Sequence, residues 1–174
     1  PNVKFGTGSF NRDARGRWYI NISIETDPEP AARESSSAIG VDLGLASLVA
    51  LSNGEAIEAP RFYRRSERRL ASAQRAKKRR LARTLHAKIA NQRRDFVHKL
   101  SRRLSRQHAI IVVGDASPLK LIKTRMAKSV IDAGWSMLRQ QLSYKAIRHG
   151  GIYVEVNERF TSQTCSSCGD KPPE

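Results

Sequence analysis

Between Arg61 and His108 the chain runs on without a single glycine or proline. Arginine, lysine, alanine and leucine dominate the stretch, and these residues lose little side-chain freedom in a helix. Its apolar residues are sparse but periodic: Leu81, Leu85 and Ile89, then Phe96, Leu100 and Leu104, recur at every fourth position. One thin apolar stripe on a basic surface predicts amphipathic helix. Two helices are expected, with a bend or break between Ser66 and Arg80.

The same segment holds the charge. The chain of 174 residues has 32 Lys+Arg against 16 Asp+Glu, a net charge of +16. Eighteen of the basic residues and only two acids, Glu67 and Asp95, fall between Arg61 and Arg106, so the remainder is balanced. A stripe of this kind predicts a polyanionic partner, because neutralising phosphates releases counterions and drives affinity. The residues expected to meet phosphate are Arg75, Lys77, Lys78, Arg79, Arg80, Arg83, Lys88, Arg93 and Arg94. A merely solvated basic surface is the bland alternative, and the lack of acids to balance the repulsion counts against it. His86, His98 and His108 read as ordinary helix-surface residues, since no cysteine or acid pattern accompanies them.

The flanking segments read as strands. "VKFGTGSF" and "WYINISIE" are joined by the polar loop "NRDARGR", and Trp18, Ile20, Ile22 and Ile24 alternate onto one face. "TDPEPAARESSS" is a linker by composition. "AIGVDLGLASLVALSNGEAIEAP" predicts a three-stranded antiparallel meander turning at "SNGE". "AIIVVGD" is apolar on both faces, as a buried central strand is. A helix is expected from about Lys128 to His149, with Val130, Ile131, Trp135, Leu138 and Leu142 on one side, and "GIYVEVNE" is a further strand. No run of about 18 apolar residues is available to span a membrane, and no signal-peptide pattern opens the chain. Pro1 leads straight into a strand, which predicts preceding residues in the whole protein. The two cysteines, Cys165 and Cys168, are too close for a structural disulfide framework, so no disulfide partner is expected and a reducing compartment is. Their C-x-x-C spacing is that of half a four-ligand zinc site.

Two acids stand out. Asp42 is flanked by Val41 and Leu43, where an unpaired buried charge would cost several kcal/mol unless a cation met it. Asp115 ends the apolar run "IIVVGD". Either could be a structural acid that caps a turn or accepts backbone hydrogen bonds.

"IGVDLGL", "KIANQRRDFVHKL", "AKSVIDAGW" and "VNERFTSQTCSSCG", in this order and spacing, resemble the TnpB/OrfB proteins of insertion sequences, relatives of type V CRISPR effectors. The resemblance covers essentially the whole chain, and the cysteine motif with its Thr-Ser-Gln-Thr lead is its most specific part. It implies an α/β fold: an RNase H-like (RuvC) mixed sheet with long basic helices. Part of a wedge-type β-barrel would precede it and half a zinc ribbon would follow. The implied boundaries are barrel strands at 1–30, a linker at 31–38, the nuclease domain at 39–160 with a basic insertion at about 61–108, and a truncated zinc ribbon at 161–174. In such a sheet the first and fourth strands are neighbours, so acids on them can share divalent cations.

The function implied is transposon-encoded, RNA-guided DNA cleavage with two Mg²⁺ ions. The partners would be guide RNA and target DNA, with no membrane involved, in a prokaryotic cytoplasm and at the nucleoid when bound to DNA. Asp42 would be the first catalytic acid and Mg²⁺ ligand. Many relatives place a glutamate directly after the apolar strand, where this chain has Gly114. The second acid is then Asp115, shifted by one residue, or Glu158 on the neighbouring strand. A one-residue shift turns a side chain to the other face, and the resemblance favours Glu158. Cys165 and Cys168 would be zinc ligands whose second pair, with a third catalytic Asp, is absent from the sequence. The chain is thus expected to be an inactive internal piece. A non-catalytic nucleic-acid-binding protein acting through the basic helices is the competing expectation.

Overall fold

The structure is a computed structural model that describes residues 3–26, 36–44, 47–114 and 134–157. Asp115, Glu158, Cys165, Cys168 and most of the expected linker lie outside the described residues. In chain order the elements are β1 (Val3–Arg12), β2 (Trp18–Thr26), β3 (Ala38–Leu43), β4 (Ser47–Leu51), β5 (Ala56–Glu58), α1 (Phe62–Arg75), α2 (Arg79–Gln107), β6 (Ile110–Gly114), α3 (Trp135–Arg148) and β7 (Ile152–Val156).

The apolar run 110–114 sits inside a five-stranded mixed sheet of order β5-β4-β3-β6-β7. β6 is parallel to β3 on one side and to β7 on the other, with Gly40 opposite Val112 and Gly114 opposite Val156. The expected meander is present as antiparallel β3, β4 and β5. The first and fourth strands of this unit are neighbours, as in an RNase H-like sheet.

Strand alternation decides the faces. Ile39, Val41 and Leu43 of β3 are buried, as are Ile111 and Val113 of β6. They form one core with Val97, Leu100 and Leu104 of α2 and with Trp135, Leu138 and Leu142 of α3. Both helices therefore cover the same face of the sheet. Ser37, at the end of the linker, fastens the entry to this unit by accepting the backbone N–H of Ala109 at 2.8 Å.

Helix α2 is 29 residues long and serves two cores with one stripe. Its second half packs on the sheet. Its first half meets α1, where Leu85 joins Leu70 and Ala73 in a small separate cluster. An edge-on pair, Phe62 and Phe96 with ring centroids 6.2 Å apart, ties the start of α1 to the middle of α2.

The break between the helices falls at Ala76–Lys78, within the expected window. Lys78 N–H donates to the Ala73 carbonyl and Lys77 N–H to that of Gln74, both at close to ideal length (2.9 and 3.0 Å). This is a Schellman closure, which needs a left-handed residue at its turn. Lys77 takes that conformation at φ 53°. At the end of α3 the same closure uses Gly150, with Gly151 N–H donating to the Ala146 carbonyl at 2.8 Å. Glycine adopts this φ without a Cβ penalty, whereas lysine does not.

The first two strands form an antiparallel hairpin pairing Phe5 with Ile24 and Phe10 with Ile20. Asp13 holds its turn, accepting the backbone N–H groups of Arg15 at 2.8 Å and Arg17 at 2.9 Å. These bonds, with that from Arg17 the strongest influence, hold its carboxyl down at about 2. Phe10, Ile20, Ile22 and Ile24 are each more than half exposed. Among the described residues the hairpin is a two-stranded sheet and no barrel is formed.

The two cores should respond separately. Leu104→Ala, at a fully buried site, should lower global stability by about 2–5 kcal/mol in urea titration. Leu70→Ala should instead raise amide exchange in α1 while β3 and β6 stay protected. Lys77→Gly should stabilise the helical hairpin by roughly 1 kcal/mol, read as increased protection of α1 amides.

Candidate functional site

Asp42 is exposed, which corrects the expectation of a charge enclosed between apolar neighbours. Val41 and Leu43 point into the core, and Asp42 points the other way, with Gly40, onto the face that α2 and α3 do not cover. No desolvation cost arises there. The carboxylate lines a shallow depression of about 330 Å³ with Gly40, Ala50, Ser52, Val112, Gly114 and Val156. Gly40 is fixed at its edge: its N–H donates to Ser52 Oγ at 3.0 Å, and Ser52 N–H donates back to its carbonyl at 3.0 Å.

Register places Gly114 on the Asp42 face of the sheet. Val41 is opposite Val113, so Gly114 follows at the level of Asp42, and Val156 is its partner on β7. A carboxylate at position 114 would therefore stand beside Asp42, and the glycine there supplies none. Among the described residues no group of three or more His, Cys, Asp or Glu could hold a metal ion. Asp42 is the one sequence-predicted catalytic acid within the described residues.

Most of the predicted phosphate-binding residues are where the charge pattern implies. Arg75, Lys77, Lys78, Arg79, Arg80, Arg83, Lys88 and Arg94 are exposed on the α1–α2 hairpin. Arg93 differs. It is only partly exposed, and its Cδ lies 3.0 Å from where a Cβ on Gly134 would stand, so its stem packs against the turn that opens α3.

One polar cluster escaped the sequence reading. Lys145 of α3 donates to Ser101 Oγ at 2.7 Å, the His98 carbonyl at 3.0 Å and Gln141 Oε1 at 3.1 Å. Its ammonium is also 3.2 Å from His98 Nδ1. Ser101 is fully buried and donates to the Val97 carbonyl at 2.7 Å. Burial, and then Arg102, lower the Lys145 pKa. Burial first, then Lys145 and Arg94, lower that of His98, against a smaller opposing effect of Asp95. His98 is the exposed helix residue expected, and it also contacts Lys145. A neutral ring can accept the lysine proton at Nδ1. Helical spacing brings 98 to 101 and 141 to 145, but the two pairs meet only because α2 and α3 pack side by side.

The family profile OrfB_IS605, described as "Probable transposase", matches residues 21–117, more than half of the chain. The chain belongs to the OrfB_IS605 family. A second profile, "Cas12f1-like, TNB domain", matches residues 135–173. A Streptomyces pristinaespiralis protein named "Putative RNA-guided DNA endonuclease" is 37% identical, over 94% of this chain and 44% of its own length. The Escherichia coli K12 protein named "Putative RNA-guided DNA endonuclease InsQ" is 32% identical, over 88% of this chain and 45% of its own. This OrfB_IS605 chain thus spans less than half the length of these curated relatives. Of solved structures, a chain of the "CRISPR-Cas12f Ternary Complex" is 18% identical with a TM-score of 0.52, over 88% of this chain and 34% of that one. At that identity it bears on the fold alone, a mixed sheet with helices in the RuvC/RNase H-like manner. No described helix is long and apolar enough to cross a membrane.

The His98–Lys145 contact predicts a pH dependence. Because the folded-state pKa of His98 lies below the ordinary 6.5, the unfolded chain binds the proton more readily. The contribution is present above about pH 6.5 and is lost as pH falls towards the lowered value. Urea midpoints should therefore fall between pH 7.5 and 5.5, and His98→Gln should flatten that part of the profile.

Proposed function

We propose that the protein acts in RNA-guided cleavage of DNA phosphodiesters, with Asp42 as an essential metal-binding acid. The observation that carries this reading is Asp42 itself: an exposed carboxylate on the open face, beside a glycine on the adjacent parallel strand, in a chain of this family. The relatives' printed names, RNA-guided DNA endonucleases, supply the reaction class. Guide RNA and target DNA are the partners it implies, and the basic α1–α2 hairpin suits both. The proposed organisation has barrel strands at 1–30, a linker at 31–38, the RuvC-like domain at 39–160 and a zinc ribbon from 161. The exposed apolar face of the β1–β2 hairpin supports the first of these, since an isolated hairpin is marginal without something to cover it.

Asp42 offers hard anionic oxygen at an open site, which suits Mg²⁺. Bound there, such ions would supply water activation and charge stabilisation at the leaving oxygen. The chain's own contribution is to fix Asp42 at the sheet surface through the paired backbones of β3, β4 and β6, and to keep the floor beside it low with Gly40 and Gly114. Cys165 and Cys168 would hold structural zinc together with further ligands.

We favour Glu158 over Asp115 as the second acid, because parity counts against the residue that directly follows Gly114. Gly114 shares the Asp42 face, so an extended residue 115 would turn to the helical side. Val154 and Val156 share the Asp42 face, and Glu158 comes two residues after the end of their strand in the sequence. The competing reading, nucleic-acid binding without catalysis, differs in its response to mutation.

In a protein competent to cleave, Asp42→Asn should lower Mg²⁺-dependent cutting by at least about a hundredfold while RNA binding persists. Glu158→Gln should do the same, and Asp115→Asn should be mild. Gly114→Glu should restore measurable cutting to the Glu158→Gln variant by returning a carboxylate to the Asp42 face. Full activity in Asp42→Asn would refute the catalytic reading.

A further inference from the structure

A groove of about 490 Å³ runs between α2 and α3 on the helical side of the sheet, the side away from Asp42. Lys99 and Arg102 reach it from α2, and Lys145, Arg148 and Tyr144 from α3, together with His98. None of the described lining residues is acidic. Lys99 has an acidic partner of its own, Asp95 at 2.8 Å, in a largely exposed pair at the edge of the groove, so it is not among the groove's unneutralised cations.

Two simpler accounts fall short. Cations in the last turn of a helix favour its dipole, which covers Lys145 and Arg148 of α3. It does not cover Arg102, which enters the same space from the middle of α2's second half. Alternatively, the 2.7 Å contact between Lys145 and Ser101 has the spacing of a serine–lysine catalytic pair. Ser101 is 0% exposed, however, and its hydroxyl is already bonded to Val97 and Gln141, so no carbonyl can reach it.

What remains is Arg102, Lys145 and Arg148 held close together, with no acid among the described lining residues to neutralise them. Lys145 is fastened by three acceptors, so it cannot swing away to relieve the repulsion. Tyr144 adds an exposed ring at the rim (45% exposed), with the Lys145 ammonium 5.8 Å from its centroid. A phosphate would supply the missing negative charge, and a flat ring beside it gives a nucleobase a surface to stack on.

We infer that the α2–α3 groove binds one nucleotide of a single nucleic-acid strand, its phosphate between Arg102 and Arg148 and its base against Tyr144. This rests on the nucleic-acid reading above and gives it a second contact surface, separate from the α1–α2 hairpin. The groove and Asp42 lie on opposite sides of the sheet, so the phosphate held here is not the one cleaved. It anchors a strand.

The test is fluorescence anisotropy with the full chain and labelled ten-nucleotide strands, oligothymidine DNA and oligouridine RNA in parallel. The variants are Arg102→Gln/Arg148→Gln, Tyr144→Ala and Tyr144→Phe, with Arg79→Glu/Arg80→Glu/Arg83→Glu as a hairpin control. The paired arginine variant should weaken binding roughly tenfold. It should also reduce the magnitude of the slope of log affinity against log salt by about 0.7, the value for one single-strand phosphate. Tyr144→Ala should weaken binding by about tenfold and Tyr144→Phe hardly at all, because stacking needs the ring and not the hydroxyl. A loss confined to the DNA or the RNA probe would name which strand the groove holds. Unchanged binding by the groove variants alongside a loss in the hairpin control would overturn the groove and leave the wider reading standing. If the hairpin control binds normally as well, the wider reading falls with it.

Discussion

The parallel pairing of β3 with β6 is the contact on which the rest of this structure depends. It joins residues about seventy positions apart, Ala38 with Ile110 through Val41 with Val113, and both helices pack on the surface it creates. Closing so long a loop is costly, and the burial of Ile39, Val41, Ile111 and Val113 against Leu104 and Leu138 offsets that cost. The same pairing sets the chemistry. Once Val41 and Val113 face inward, Asp42 and Gly114 must face outward side by side. A slip of one residue would exchange the faces, burying the carboxylate and exposing the valines. The core therefore enforces the register that the candidate site needs.

Helix α2 couples this sheet to the charged half of the protein. Its second half is held by the main core, and its first half packs on the small cluster around Leu70, Ala73 and Leu85. Ion pairs add little support. Arg64–Glu67 and Lys99–Asp95 are surface pairs at 3.1 and 2.8 Å, of a kind that contributes about 0–1 kcal/mol. Arg103–Glu55, at 2.7 Å, ties α2 to the β4–β5 turn. The α1–α2 hairpin thus concentrates like charge on the less well buried end of the helix. A polyanion bound there would relieve repulsion that the fold itself leaves uncompensated.

Much of this was legible in the sequence, for reasons that can be named. The short apolar stretch "AIGVDL" and the fully apolar "IIVVG" are local signals, and both became strands in the expected order. The stripe of Leu81, Leu85, Leu100 and Leu104 marked the buried side of α2, but not that it divides between two cores, because periodicity does not say what lies opposite. The helix break fell at Lys77, where no glycine announces it. Asp42 was misjudged from its neighbours: flanking valine and leucine indicate burial only if a residue shares their face, and in a strand it does not. The cluster of His98, Ser101, Gln141 and Lys145 was invisible because its members come from separate helices.

The two faces of the sheet then divide the work. On the open face the backbone is kept low by Gly40 and Gly114, and one carboxylate stands clear of the core. On the helical face the serines at 101 and 105 are fully buried, and such small side chains let α2 and α3 approach closely. That close approach is what brings Arg102 into the same groove as Lys145 and Arg148. Among the described residues no lysine or arginine lines the depression that carries Asp42, where such neighbours would compete with metal ions for the carboxylate. Under the proposed function, holding a polyanion and gathering divalent cations are in direct conflict, since the side chains that attract phosphate repel metal. A β-sheet between the two proposed sites would resolve that conflict with the geometry already required for folding.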